Sequence, residues 1–279
     1  DVTDLTDEDF AAIENAYDRY GVIVIRNQRL TPAEQVAFSK RFGGLDKYIL
    51  DRYNLPSEPD IFVVSNVIED GKPIGLVDAG RYWHSDMWAV PRPPRGSMLY
   101  ALEVPHADDG TPLGDTCFAS TAAAYDGLPA DLRAKIEGRR ALYSTQRLVE
   151  FRQRTAVVDP KAGQLSKEEQ DGYAERTARM TPEIEHDLVR VHPRTGRKCI
   201  YYSEGAISHI VGMTPEESAP ILEALRQHVL KPEYVYRHRW RVGDIVMWDN
   251  CSCIHKAIAD FALPQRRRMH RTTLSSVAA

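Results

Sequence analysis

Trp83-His84-Ser85-Asp86 and, far downstream, Trp248-Asp249-Asn250-Cys251-Ser252-Cys253-Ile254-His255 are the stretches on which the reading of this chain turns. Together they spell His-x-Asp followed by a single His. In an extended strand, residues i and i+2 point the same way. His84 and Asp86 would then reach one metal ion from one element while His255 closes the triangle from another. Two imidazoles and one carboxylate with open positions form the facial donor set of non-haem Fe(II) oxygenases, whereas a soft metal would recruit the nearby thiols of Cys251 and Cys253.

A His-x-Asp pair alone is weak, because a chain with nine His and many Asp contains such pairs by chance. The segment Arg266-Arg267-Arg268-Met269-His270-Arg271 strengthens it. In a strand, Arg267, Met269 and Arg271 share one face, and a guanidinium binds a carboxylate through two parallel hydrogen bonds. An inward Arg beside an iron site therefore reads as an anchor for a dicarboxylate co-substrate. The alternative, a basic surface for nucleic acid, is disfavoured by a formal net charge of -4 and a pI near 6.2.

On these marks the chain resembles the taurine and dichlorophenoxyacetate dioxygenase (TauD/TfdA) family of Fe(II)- and 2-oxoglutarate-dependent enzymes. The resemblance runs from Gly21-Val-Ile-Val-Ile-Arg26 to the C-terminal strand. It rests on Trp83–Asp86, Gly114-Asp-Thr-Cys-Phe118, Trp240-Arg-Val-Gly-Asp244, Trp248-Asp-Asn250 with His255, and Arg266–Arg271. It implies His84, Asp86 and His255 as iron ligands, Thr116 with Arg267 as the holders of the distal carboxylate of 2-oxoglutarate, and Arg271 opposite an anionic group of the substrate. The stretch from His255 to Arg271 is one residue longer than in the taurine enzymes, so Arg266 rivals Arg267; strand alternation favours Arg267. O2 is the third reactant, and succinate and CO2 the expected by-products. Asp86 stands where halogenating relatives need an open position, which points to hydroxylation or desaturation.

At 279 residues, with 43% hydrophobic and 27% charged content, the chain is expected to form a single domain over 1–279. Apolar runs stop short of the roughly 20 residues a bilayer requires, and Asp1-Val-Thr-Asp lacks a basic leader, so the cytoplasm is the expected location. Cys117, Cys199, Cys251 and Cys253 suit neither a disulfide framework nor a Cys-x-x-Cys zinc site.

Thr31-Pro32-Ala33-Glu34 and Thr214-Pro215-Glu216-Glu217 are capping boxes that start helices near 32 and 215, and Thr6-Asp7-Glu8-Asp9 opens a third. Strands are expected at Gly21–Arg26, Ile61–Ser65, Gly96–Val104, Leu188–His192, Cys199–Tyr202, Tyr234–Arg239, Asp244–Trp248 and Met269–Ser275. Pro193–Gly196 and Arg241–Asp244 would close hairpins. This is a mainly β chain with flanking helices (α+β). Many short strands suggest a jelly roll, and the family fold is the cupin-like double-stranded β-helix. Residues 139–185, rich in Arg, Glu, Gln and Ser, read as an insertion. It is either a lid-like cover over the site or a helical excursion serving contacts in a homo-oligomer, dimer or tetramer.

Taurine enzymes carry an upstream His and an Asn four positions before the first ligand; here residues 44–80 hold no His and that position is Gly80, which argues against taurine. In the loop Tyr202–Ile207, Ala206 stands where many relatives place a bulky aromatic, which widens the pocket beside Ile207. Tyr82, Trp88 and Phe118 could wall it. The expected partner is a small or medium organic anion, with an aromatic or aryl-alkanoic acid leading, and neither nucleic acid nor membrane. Two rivals remain: a jelly-roll metal oxygenase that does not use 2-oxoglutarate, and a non-catalytic binding protein.

Overall fold

Thr6, Thr31 and Thr214 each accept a hydrogen bond from the backbone N–H three residues on, while the acid there reaches back to the Thr N–H. These three capping boxes start the helices Asp7–Tyr20, Pro32–Lys40 and Pro215–Val229. The computed structural model describes residues 1–47, 51–77, 80–155 and 183–276. Shorter helices at Thr121–Asp126 and Ala130–Ile136 lack such boxes and were not expected from the sequence, and a third, Thr145–Thr155, lies in the segment for which a helical excursion was one reading.

The strands in chain order are β1 (Val22–Ile25), β2 (Asn54–Leu55), β3 (Glu58–Ser65), β4 (Ile68–Glu69), β5 (Lys72–Pro73), β6 (Gly96–Glu103), β7 (Thr116–Ser120), β8 (Arg140–Tyr143), β9 (Ile184–Asp187), β10 (Val189–Val191), β11 (Lys198–Ile200), β12 (Ile207–Ile210), β13 (Val235–His238), β14 (Ile245–Asp249), β15 (Cys253–Ala257) and β16 (Arg268–Leu274). Their pairings are antiparallel. A six-stranded sheet has the order β1-β14-β6-β16-β3-β2, and β13-β7-β15 and β12-β8-β9 form smaller ones.

The large sheet is apolar on both faces, and alternation sorts its residues. Met98 and Tyr100 of β6, Ile245 and Met247 of β14 and Leu274 of β16 pack with Tyr17, Phe38 and Phe42 of the first two helices. The residues between them, Leu99, Ala101, Val246, Trp248 and Met269, face inward and join Phe118 of β7. Each buried side chain of this size contributes about 1.5–3 kcal/mol. Where β6 runs beneath the first helix only Gly96 fits, because a Cβ there would collide with the Tyr17 hydroxyl and the Trp248 carbonyl.

Three features differ from the sequence reading. The turn at Arg241–Asp244 is present, with Asp244 N–H bonded to the Arg241 carbonyl at 3.0 Å, but it closes no hairpin. It carries the chain from β13 in one sheet to β14 in another. The 139–185 region, expected as an insertion between strands, itself begins and ends in paired strands, β8 and β9. Its residues 156–182 lie outside the described residues. Finally, β7 and β15, unanticipated, form one sheet with β13. Pro193–Gly196 does turn between β10 and β11. Among the described residues no helix is long and apolar enough to cross a membrane.

Candidate active site

β15 carries His255, whose backbone exchanges hydrogen bonds of 2.9 and 3.0 Å with that of His84. The two imidazoles consequently lie side by side, ring centroids 4.2 Å apart. His84 belongs to this one-residue bridge rather than to the regular strand expected, and the chain turns immediately after it, at Asp86–Ala89. Met87 takes a left-handed φ of 49°.

A backbone carbonyl can only accept, so the 2.8 Å contact between His84 Nδ1 and the Tyr82 carbonyl places the proton on Nδ1 and leaves the Nε2 lone pair facing inward. Asp86 Oδ1 lies 3.7 Å from His84 Nε2 and 3.9 Å from His255 Nε2. One donor atom from each of the three residues lies within 4.8 Å of the others, and all three residues are buried. Asn250 fixes the loop from behind, its Oδ1 accepting the Asp86 N–H at 3.3 Å and its carbonyl the Ser85 hydroxyl at 2.9 Å.

Burial disfavours a charge on Asp86, yet Arg271, His255 and His84 together hold its carboxyl well below the usual range. Arg271 Nη1 donates to Oδ1 at 3.3 Å. Burial, reinforced by His84, pushes His255 down to about 3, so the ring is a neutral donor. An ionised carboxylate and neutral imidazoles are the protonation states that metal ligation demands, so the set fits a divalent iron.

The two rival arginines separate. Arg266 is exposed and donates to Glu103 at 2.7 and 3.2 Å. Arg267 is 6% exposed, its stem lying across Gly114 so closely that a Cβ there would stand 3.2 Å from Cδ and Nε. The Arg267 Nε has no hydrogen-bond partner, and burial pushes the guanidinium down to about 10, with Asp260 offsetting it only in part. A dry cation of this kind calls for an anion. Thr116, buried on β7, accepts the Trp240 indole N–H at 3.0 Å, which leaves the Thr hydroxyl proton to be donated elsewhere.

The aromatic candidates also divide. Tyr82 tilts against His84 at 4.7 Å, and Phe118 stacks 6.2 Å from His255. Trp88 instead packs into the core beside Tyr143 at 5.9 Å, while Ala206 and Ile207 are buried in the same cluster. The room expected beside Ala206 is bounded by Phe151 of the Thr145–Thr155 helix. Its ring lies on Gly205, where any Cβ would collide with it, and 6.3 Å from Tyr82. Phe151 escaped the sequence reading because its helix, despite Leu148 and Val149, is mostly polar and charged.

Gly80 touches the site directly. Its φ is 71°, and a Cβ would stand 2.6 Å from His84 Cε1 and 3.2 Å from Nε2. Gly80→Ala is expected to push the imidazole off its position and weaken Mn(II) binding at least about tenfold, as a calorimetric titration would register; unchanged affinity would mean that the loop yields.

The family model described as taurine catabolism dioxygenase TauD, TfdA family matches residues 1–273. An alpha-ketoglutarate-dependent 2,4-dichlorophenoxyacetate dioxygenase of Cupriavidus pinatubonensis is 34% identical over 272 residues, covering 94% of this chain and 86% of that protein. Pentalenolactone F synthase of Streptomyces arenae is 34% identical over 270 residues, covering 94% and 85%. The crystal structure of AAD-2 in complex with Mn(II) and N-oxalylglycine superposes with a TM-score of 0.74 at 29% identity, covering 100% of this chain and 91% of that one. With a family match over almost its whole length and relatives at one-third identity, the chain belongs to the TauD/TfdA family of dioxygenases.

Proposed function

We propose that this protein is an Fe(II)- and 2-oxoglutarate-dependent dioxygenase that hydroxylates a small or medium organic anion, an aryl-alkanoic acid leading. The observation that carries it is the His84–Asp86–His255 donor set together with the buried, only partly offset guanidinium of Arg267, which lies 6.0 Å from the Trp240 ring whose indole N–H meets Thr116 on β7, the strand paired with that of His255. A metal oxygenase working without a dicarboxylate, or a binding protein without a metal, has no use for both. The aryl-alkanoic reading is supported by the name of the dichlorophenoxyacetate relative. We also read the large sheet and β13-β7-β15 as the two halves of a double-stranded β-helix, with the site between them.

Bound Fe(II) supplies O2 activation coupled to oxidative decarboxylation of 2-oxoglutarate to succinate and CO2, with one oxygen atom passing into a C–H bond of the substrate. The protein's part is placement. His84, Asp86 and His255 hold the metal and leave positions open, and Asp86 contributes the one negative charge. Arg267 and the Thr116 hydroxyl hold the distal carboxylate of 2-oxoglutarate. Phe118 and Trp248 flank His255, the latter at 4.7 Å, and keep water from that side. Tyr82 and Phe151, with ring centroids 6.3 Å apart, wall the substrate side. Arg271, already on Asp86, is the counter-ion for the substrate's carboxylate.

The test is succinate formation from 2-oxoglutarate, with and without aryl-alkanoic acids, in the wild type and in Arg271→Ala. Stimulation by such an acid is expected in the wild type. In the variant the ratio of stimulated to unstimulated turnover should fall roughly 30-fold, the low end of what losing one partner of a buried charge pair costs. A ratio that survives, with a lowered melting temperature, would reduce Arg271 to a brace for Asp86.

A further inference from the structure

Asp86 is the softest member of the triad. It sits in a turn rather than on a strand, and its side chain can rotate so as to present one oxygen or two. The structure shows what restrains it. Ser97 Oγ lies 2.7 Å from Asp86 Oδ2, and because an ionised carboxylate only accepts, the hydroxyl is the donor. Ser97 is fully buried on β6, a strand inside the large sheet. Its backbone is registered with Trp248 of β14 on one side and Thr273 of β16 on the other, so the point from which its hydroxyl reaches the carboxylate is fixed. It shares the inward face with Leu99, whereas Met98 between them faces the helices. Oδ1, which also accepts from Arg271 Nη1 at 3.3 Å, is the one 3.7 and 3.9 Å from the two imidazole Nε2 atoms.

We propose that Ser97 is a positioning residue that makes Asp86 a one-oxygen ligand and thereby keeps coordination positions open for the co-substrate. The inference rests on the metal reading above and goes beyond it. A carboxylate with both oxygens available can bind a cation through both and occupy a second position. 2-Oxoglutarate needs two positions, so losing the Ser97 hydrogen bond should harm co-substrate binding more than metal binding.

The experiment is calorimetric. Wild type, Ser97→Ala and Ser97→Cys are each titrated with Mn(II), and the loaded proteins then with 2-oxoglutarate. Mn(II) is a hard cation that disfavours a thiol, so the Cys variant tests a near-isosteric side chain that donates poorly. Both variants are expected to bind 2-oxoglutarate at least about tenfold more weakly than wild type, the range in which removal of an outer partner of a metal ligand falls. Their Mn(II) affinity should change by less. Wild-type affinity for 2-oxoglutarate in either variant would overturn the proposal, and so would a normal Cys variant beside a weak Ala variant, since that pattern belongs to packing. Should the Ala variant fail to fold, the Cys variant decides alone. If the wild type binds no Mn(II), the metal reading itself fails; if it binds both ligands and the variants match it, only the role of Ser97 does.

Discussion

His255→Ala is expected to bring Fe(II)- and 2-oxoglutarate-dependent succinate formation below about one-hundredth of wild type, because removing even an outer partner of a metal ligand costs 10–100-fold and this removes a ligand. The fold should persist. His255 is a neutral imidazole on β15, bounded by Phe118 and Trp248, and its backbone pairs with β7 and with His84 whatever side chain it carries. Truncation leaves a cavity and a stability loss of roughly 1–3 kcal/mol. Turnover and a melting curve on the same sample separate the two effects: near-normal turnover would reject the triad, and a collapsed protein would make the activity loss uninformative, in which case His84→Ala repeats the test.

Arg267→Ala should raise the KM for 2-oxoglutarate by roughly 30- to 700-fold, the equivalent of 2–4 kcal/mol for a two-point carboxylate contact in a dry site. Arg266→Ala should change it by less than about threefold, since that side chain is spent on Glu103 in solvent. The same position makes an opposite prediction for stability. A guanidinium pushed down to about 10 by burial carries a penalty on the order of 3 kcal/mol, each tenfold change in proton affinity being about 1.4 kcal/mol. Without metal or co-substrate, Arg267→Met should therefore melt no lower than wild type, and higher if the thioether packs on Gly114 and Phe261. With saturating 2-oxoglutarate the order should reverse. A variant that melts lower under both conditions would show that Arg267 holds the fold rather than a ligand.

The residue types of the site were legible because its chemistry is concentrated in short words. His84-x-Asp86, His255 and the arginine run can be read without knowing where any strand lies. What brings them together was less legible. The i, i+2 argument named a pair that the structure does bring together with His255, but through an element that is a single bridge and a turn, and nothing in Ser85 or Met87 announces a left-handed residue there. β7 and β15 went unread because Thr116–Ser120 and Cys253–Ala257 mix small, polar and apolar residues with no period. β8 and β9 were hidden inside a charged segment, where pairing with each other and with β12 overrides local composition. The arginine register could be argued from alternation even though β16 is buried on both faces, because the neighbours across the sheet, not the burial, define the inward side. Ser97 and Phe151 gave no signal: a serine on an apolar strand and a phenylalanine in a mostly polar helix acquire meaning only from what stands opposite.

With the proposed iron in place, the backbone bridge between His84 and His255 would bear on how the protein lives with an oxidisable metal. Two of the three donors are tied to each other by amide hydrogen bonds that do not pass through the metal, and the third is fastened to Asn250 and Ser97. Refilling an emptied centre should therefore demand little new ordering of the backbone. Inactivation by chelation or by autoxidation of the iron should be a matter of occupancy rather than unfolding, reversed within the time of mixing by fresh ferrous salt and a reductant. The polypeptide would then outlast many metal ions, each replaceable in place.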